Sequence, residues 1–80
     1  MWHVYVLRSL KNERLYIGST NDLSRRLAEH HKGKNSYTRH AGPFQLVYHE
    51  AYETRLAARR RERALKNGQG RAFLKERVGH

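Results

Sequence analysis

The sequence predicts a small α+β domain in which a three-stranded, largely antiparallel sheet is flanked by helices. Residues 2–9 and 15–19 are short β-rich runs separated by the polar residues 11–14, a pattern typical of a hairpin. A third β-rich run, residues 44–49, follows Pro43, and segments with helical spacing come after the second and third runs. The element order is therefore β-β-α-β-α-α.

The register of the hairpin decides which side chains share a face. With a four-residue loop over residues 10–13, Gly18 lies opposite Tyr5, and alternation sends Tyr5, Tyr16 and Gly18 to the same face. A loop with an odd number of residues would separate the two tyrosines. We expect the missing side chain of Gly18 to leave room for a ligand. Alternatively, both tyrosines are ordinary strand aromatics.

The helix after the hairpin places two basic side chains beside the core. A capping residue within 20–22 begins it, and Leu23 and Leu27 form its buried stripe. At about 100° per residue, Arg26 lies about 60° from Leu23 and His30 about 20° from it, on the same side. Such cations need an anion or a local partner. Alternatively, Arg26 extends along the core to water and His30 is a hydrogen-bonded core histidine.

The second half of the chain predicts two helices. Residues 54–66 form the first, closed by Asn67 and Gly68 as a left-handed cap, and residues 70–78 form a short last helix. Glu62 is the lone acid in the body of an arginine-rich helix and lies at the edge of its buried stripe. The local explanation is an i,i+4 pair with Lys66, which would stabilise the helix modestly.

We expect Tyr5, Tyr16, Arg26 and Glu62 to converge on one concave surface beside Gly18, because the even-numbered hairpin loop and the helix angles bring each of them toward the same face of the sheet.

Charge is the most prominent feature of the composition. The 80 residues carry 17 Lys and Arg against 7 Asp and Glu, a formal net charge of +10. This indicates a polyanionic partner, and nucleic acid is the first candidate because basic side chains bind its phosphates through counterion release. The helices lack the wide apolar face that would insert into a membrane surface. The alternative is a charge that serves solubility.

Several classes of protein are excluded or disfavoured. Without cysteine there is neither a disulfide framework nor thiolate ligation of a metal. The N-terminus has no long apolar run, so we expect neither a signal peptide nor a membrane span, and a cytoplasmic location. Residues 32–42 are polar with two glycines and predict a basic loop, which either contacts nucleic acid or is simply solvated.

The residues singled out above resemble the GIY-YIG nuclease superfamily. The resemblance rests on Tyr5, the triplet at residues 16–18 (Tyr-Ile-Gly), Arg26 and His30 in the next helix, and Glu62, and it covers nearly the whole chain. It implies one GIY-YIG-like domain over residues 1–80.

The first half of the family motif departs from its pattern. The segment reads His3-Val4-Tyr5 where the family name has Gly-Ile-Tyr. The compact length, together with residues 37–39 followed by a strand that begins after Pro43, is similar to the small stand-alone, repair-endonuclease-like members of the UPF0213 or excinuclease C N-terminal type.

The resemblance implies a divalent-metal-dependent endonuclease that hydrolyses phosphodiester bonds in DNA, selects substrate by structure, and acts in repair or recombination. Glu62 would bind one Mg²⁺ or Mn²⁺, and Arg26 would pair with the phosphate. Tyr5 or Tyr16 would orient or deprotonate the water, and His30 would transfer a proton or hold a phosphate. The alternative function is a non-catalytic nucleic-acid-binding module with the same fold.

The remaining expectations concern binding. We expect a monomer that binds DNA in preference to RNA, with a protein partner as one source of specificity and no membrane contact. The residues expected to contact nucleic acid are Gly18, Lys32, Lys34, Tyr37, Thr38 and Arg39.

Overall fold

The computed structural model describes residues 1–32 and 42–78, and it has the predicted element order β-β-α-β-α-α. No helix within those two ranges is both long and apolar enough to cross a bilayer. The elements are β1 (Trp2–Ser9), β2 (Leu15–Thr20), α1 (Leu23–His31), β3 (Phe44–Tyr52), α2 (Arg55–Lys66) and α3 (Gly68–Val78).

The three strands form one antiparallel sheet in the order β2-β1-β3, so β2 is an edge strand. The predicted hairpin register is confirmed, because Tyr5 pairs with Gly18 and the Ser9 N–H donates to the Arg14 carbonyl at 2.9 Å across a four-residue loop. Glu13 in that loop has φ 62°, in the left-handed region that closes the turn. The even-numbered loop therefore sends both tyrosines of the hairpin to one face.

Each face of the sheet has its own apolar cluster. On the face of Tyr5 and Leu7, Phe44 completes the buried cluster, and Leu23 and Leu27 of α1 pack against it as the sequence predicts. On the opposite face, Val4 and Val6 pack against α2 and α3 through three fully buried side chains, Ala58, Leu65 and Leu74. The sheet therefore lies between α1 on one side and the α2–α3 pair on the other.

A bulge in β3 explains why its hydrophobic alternation is loose. Leu46 pairs with Leu7 but Tyr48 pairs with Val6, so Val47 is an extra residue in the ladder. Side chains before the bulge, such as Leu46, face α1, whereas Tyr48 packs with the cluster on the α2–α3 face. The strand continues to Tyr52, three residues beyond its predicted end.

The junction between α2 and α3 differs from the prediction of a left-handed cap. Asn67 has φ −86° and ψ 177°, an extended conformation, so that prediction is wrong. Its side-chain oxygen accepts the Gly70 N–H at 2.9 Å, and its carbonyl accepts the Arg71 N–H at 2.9 Å. Asn67 therefore caps the start of the next helix, which begins at Gly68 rather than Gly70.

Gly70 is required because α3 approaches the end of α2 closely. A Cβ placed on Gly70 would collide with the Ala64 carbonyl oxygen and with Leu65 Cα, which are backbone atoms that cannot move aside. A Cβ on Gly68, two residues earlier, would meet no atom within 4 Å. Alanine at Gly70 therefore adds a steric clash to the general effect of replacing a glycine in a helix, whereas alanine at Gly68 has only the general effect.

We expect Gly70→Ala to lower the free energy of unfolding by about 1–3 kcal/mol, the usual cost of overpacking. Gly68→Ala is the matched control, and it should leave stability unchanged or raise it by about 0.4–1 kcal/mol, because alanine restricts the unfolded chain. Urea unfolding of the parent and both variants measures the difference. Equal stability of the two variants would contradict the close approach of α3 to α2.

Candidate active site

The predicted catalytic side chains meet in one open groove, of ≈ 1030 Å³, that passes over the edge strand β2. Residues 15–19 of β2 line it, together with residues of β1, α1, α2 and α3. Its lining includes all the residues predicted to be catalytic, together with one predicted to bind nucleic acid: Tyr5, Tyr16, Gly18, Arg26, His30 and Glu62.

Glu62 reaches this groove from the face opposite to the one expected. The prediction that it shares a sheet face with the tyrosines is wrong, because α2 packs on the side of Val4 and Val6. Its hydrogen-bond partner, Ser19, is the β2 neighbour of Gly18 and points to that opposite side. The site therefore comes together because β2 is an edge, over which side chains from both faces can converge.

Tyr5 is the centre of a buried hydrogen-bonded chain. Its side chain is 3% exposed, its hydroxyl accepts from Arg26 Nε at 3.2 Å, and the same hydroxyl lies 3.1 Å from His30 Nε2. A guanidinium can only donate, so the phenolic proton is directed at His30 when that ring nitrogen is unprotonated. The arrangement fixes the phenol oxygen between a cation and a proton acceptor.

Gly18 makes this position of Tyr5 possible. A Cβ on Gly18 would collide with the Tyr5 hydroxyl and approach its ring Cζ to 2.7 Å. The space that the sequence suggested for a ligand is therefore filled by the phenol of the paired strand. Gly18 still lines the groove through its backbone.

His30 is a buried, neutral histidine. It is 5% exposed, and its ring packs edge-on against Tyr5 and Phe44 at centroid distances of 5.8 and 5.9 Å. Burial, and then the nearby charge of Arg26, hold the pKa of His30 below its ordinary value of 6.5. The ring is thus a satisfied core histidine, and its Nε2 also faces the phenol in the groove.

Arg26 is anchored at both ends of its guanidinium. Its Nε bonds Tyr5, and Nη1 pairs with Glu29 Oε1 at 3.2 Å, an i,i+3 contact that the sequence analysis missed although the spacing is that of helix neighbours. The hydrogen bond that Arg26 donates to Tyr5 is the main cause of its raised pKa, with burial opposing it. The side chain remains 37% exposed, so it can still meet a ligand in the groove.

Both oxygens of Glu62 have partners. Oε1 accepts from Ser19 Oγ at 2.7 Å and Oε2 accepts from Lys66 Nζ at 2.9 Å, so the predicted i,i+4 pair forms. Burial acts to raise the pKa of Glu62, but the hydrogen bonds from Lys66 and Ser19 outweigh it and the pKa lies below its ordinary value. Glu62 is therefore a fixed anion in the groove at neutral pH.

The donor set around Glu62 fits a hard divalent cation held by few protein ligands. Within residues 1–32 and 42–78, no three His, Cys, Asp or Glu side chains come close enough to form a complete metal site. Mg²⁺ is commonly bound by one or two carboxylates, with water and substrate phosphate oxygens as its other ligands. An ionised carboxylate oriented by Ser19 and open to the groove meets that requirement.

Comparison with known proteins shows the family of this chain. The family model described as the GIY-YIG catalytic domain matches residues 1–75. The chain belongs to the GIY-YIG family. This is a nuclease superfamily, so its substrate class is nucleic acid. The departure at His3-Val4 therefore does not remove the chain from the family.

The relatives of this GIY-YIG chain include UPF0213 proteins. It is 40% identical over 67 residues to one from Haloquadratum walsbyi, which covers 82% of this chain and 75% of the relative. It is 43% identical over 67 residues to one from Clostridium perfringens, covering 82% and 71%. The solution NMR structure of a UPF0213 protein from Bacillus halodurans has a TM-score of 0.57 and 35% identity, covering 95% of this chain and 84% of that one.

The other residues that the sequence predicted for the site of this GIY-YIG chain do not all line the groove. Tyr16 lines the groove, and its ring packs edge-on against Phe44 at 5.4 Å. Lys32 is exposed at the end of α1 and does not line the groove. The other predicted contacts with nucleic acid lie outside the residues that the structure describes: Lys34, Tyr37, Thr38 and Arg39.

We expect His30 to make the fold less stable in acid. As pH falls below about 6.5, the unfolded chain protonates this histidine while the folded chain, with its lowered pKa, does not. Stability is therefore lost as pH falls through that range and levels off below the folded pKa. Melting temperatures of His30→Gln should fall less steeply than those of the parent between about pH 7 and pH 5.

His49→Gln, a change at an exposed position of β3, controls for the loss of one histidine. The slope of His30→Gln should be shallower than the slope of this control variant. If the melting temperature of His30→Gln falls with pH as steeply as that of the parent, His30 is protonated as readily in the folded state as in the unfolded chain.

Proposed function

We propose that the protein is a divalent-metal-dependent endonuclease that hydrolyses phosphodiester bonds in DNA. The observation that carries the proposal is the chain from His30 through Tyr5 to Arg26, which opens into the same groove as the ionised Glu62. Hydrolysis of a phosphodiester needs a proton acceptor for water and compensation of the charge that develops on the phosphoryl oxygens. These four side chains supply both.

Arg26 is the proposed phosphate contact. Its guanidinium is held in place by Tyr5 and Glu29 and keeps an exposed portion in the groove. Charge-assisted hydrogen bonds from an arginine to a phosphate are among the strong ones in proteins, and the fork geometry matches two oxygens. Because Arg26 is preorganised, it can stabilise the developing negative charge without rearrangement.

Tyr5 is the proposed proton acceptor for the attacking water. A tyrosine hydroxyl is a weak base near neutral pH, because a free phenol keeps its proton up to about pH 10. Here the phenol can pass its own proton to Nε2 of neutral His30 as its oxygen takes a proton from water, so Tyr5 itself stays uncharged. Tyr16 packs against Phe44 instead, which favours Tyr5 for this role.

Glu62 is the proposed metal ligand for Mg²⁺ or Mn²⁺. When bound, such an ion would neutralise phosphate charge and polarise water. Ser19 would keep one carboxylate oxygen oriented, and Lys66 would have to release the other. The exposed ammonium of Lys66, with a side chain 53% exposed, can leave at little cost.

A second candidate function is a nucleic-acid-binding module that does not cut. The ion pair between Glu62 and Lys66 favours it, since the pair gives Glu62 a structural role that requires no metal. The hydrogen bond from Ser19 favours the nuclease, because it orients the carboxylate toward the groove. Cleavage assays with and without metal decide between the two.

The narrower parts of the proposal rest on the resemblance to the small repair-endonuclease-like members of the family. They are a preference for DNA over RNA, selection of branched or nicked structures, a role in repair or recombination, and action as a cytoplasmic monomer. Incubation with labelled duplex, flap and single-stranded DNA and RNA tests the substrate part directly.

We expect Glu62→Gln to abolish Mg²⁺-dependent cleavage and to leave nucleic-acid affinity nearly unchanged, because a neutral amide cannot replace an anionic metal ligand. Glu76→Gln, at an exposed position of α3, removes the same charge outside the groove and should cut at the parental rate. Gel-based cleavage and binding assays measure both, with thermal melts to show that each variant is folded. Parental cleavage by folded Glu62→Gln would remove Glu62 from the metal site.

We expect Tyr5→Phe to lower kcat by about 10²- to 10⁴-fold, the range that general acid–base groups contribute. Tyr16→Phe removes the same hydroxyl from the neighbouring position in the groove and should lower kcat much less. Single-turnover cleavage of a labelled substrate separates this effect from product release. If Tyr16→Phe is the more damaging change, the proton acceptor is Tyr16 and the chain through His30 is structural.

A further inference from the structure

The groove has a second basic wall, of which the proposed mechanism uses only Lys66. Most of this wall comes from α2 and α3, which pack on the opposite side of the sheet from Arg26 and His30. Two of its members come from α2, one from the first turn of α3 and one from the residue before β2: Arg59, Lys66, Arg71 and Arg14.

The charge of this wall is largely uncompensated. Across residues 1–32 and 42–78, Arg14, Arg59 and Arg71 form no ion pair, and all three are exposed. In contrast, Arg61 on the same helix as Arg59 makes two hydrogen bonds to Glu50 on β3, the edge strand opposite to β2. The arginines without a carboxylate partner therefore include three that line the groove.

The position of the wall constrains the path of a ligand. Arg26 and Glu62 approach β2 from opposite faces, so a phosphate that meets both must lie over the β2 edge. A chain that continues from that point toward the α2–α3 side next reaches Arg59 and Arg71. The groove volume of ≈ 1030 Å³ is at the upper limit for pockets that hold one small molecule, which favours a segment of polymer.

We infer that one nucleic-acid strand crosses the β2 edge, with the phosphates beyond the cleavage position bound by Arg59 and Arg71. The inference rests on the proposed function in taking nucleic acid as the substrate. Arginine binds phosphate oxygens in pairs through its planar fork, whatever the base, so this wall sets the path of the strand and not its sequence. It also places that path away from Lys32, which lies outside the groove.

Salt dependence of binding tests the inference without any cleavage. In EDTA, the double variant Arg59→Gln/Arg71→Gln should lower the slope of log affinity against log salt by about 1.4–1.8, since each lost phosphate contact contributes about 0.7–0.9. Arg60→Gln/Arg63→Gln is the matched control, because it removes two exposed arginines of α2 that do not line the groove. Its slope should stay at the parental value.

Kinetics provide a second readout on the same variants. The wall touches flanking phosphates and not the reacting atoms, so the Arg59→Gln/Arg71→Gln variant should raise KM at least about tenfold and change kcat less than about twofold, the signature of lost uniform binding. Thermal melts check folding, which should be unaffected because these side chains are exposed and unpaired.

The outcomes separate this inference from the proposed function. If the parent binds and cuts nucleic acid while the wall variant and its control have equal slopes, the path over the β2 edge is wrong and the nuclease stands. If Lys32→Gln lowers the slope as much as a wall arginine does, the strand leaves the site on the α1 side instead. If the wall variant lowers the slope and the parent cuts nothing with any divalent metal, the inferred path of the strand is correct and the protein is the non-catalytic binding module.

Discussion

The close approach of the Tyr5 phenol to the backbone of Gly18 is the contact on which the site depends. Any side chain at Gly18 would occupy the position of the phenol. Because that position is open, Tyr5 extends across the neighbouring strand, remains almost fully buried, and reaches Arg26 and His30 with a single hydroxyl. The pairing of Tyr5 with Gly18 thereby preorganises a chain of polar side chains, in which the buried phenol oxygen has a hydrogen-bond partner on each side.

The edge position of β2 is the second constraint. At a central strand, neighbouring strands on both sides keep the two faces of the sheet apart. At an edge strand such as β2, side chains from the two faces can meet across a single backbone. The phenol and guanidinium therefore come from the α1 face and the carboxylate from the α2 face, each supported by its own apolar cluster. The groove joins two independently packed layers, so a substitution in either layer can alter its geometry.

The basic residues fall into two groups, those that form an ion pair with an acidic side chain and those that do not. Glu50 accepts hydrogen bonds from Arg61 and from the hydroxyls of Tyr48 and Tyr52, and burial together with this carboxylate raises the pKa of Tyr52 to about 12. That cluster is closed and satisfied, which is typical of a structural role. Arg14, Arg59 and Arg71, which line the groove, form no such ion pair within residues 1–32 and 42–78, so their charge stays available to phosphates.

The sequence by itself determined what depends on local periodicity: the hairpin register that pairs Tyr5 with Gly18, the two basic side chains beside the stripe of α1, and an acid at the edge of the stripe of α2. Tertiary structure alone decided that α2 packs on the opposite face, that Tyr5 itself fills the space at Gly18, and that Ser19 meets Glu62. The physical reason is that periodicity orients a side chain relative to its own helix or strand. Which face a helix covers, and which residue fills a gap, depends on packing between segments far apart in sequence.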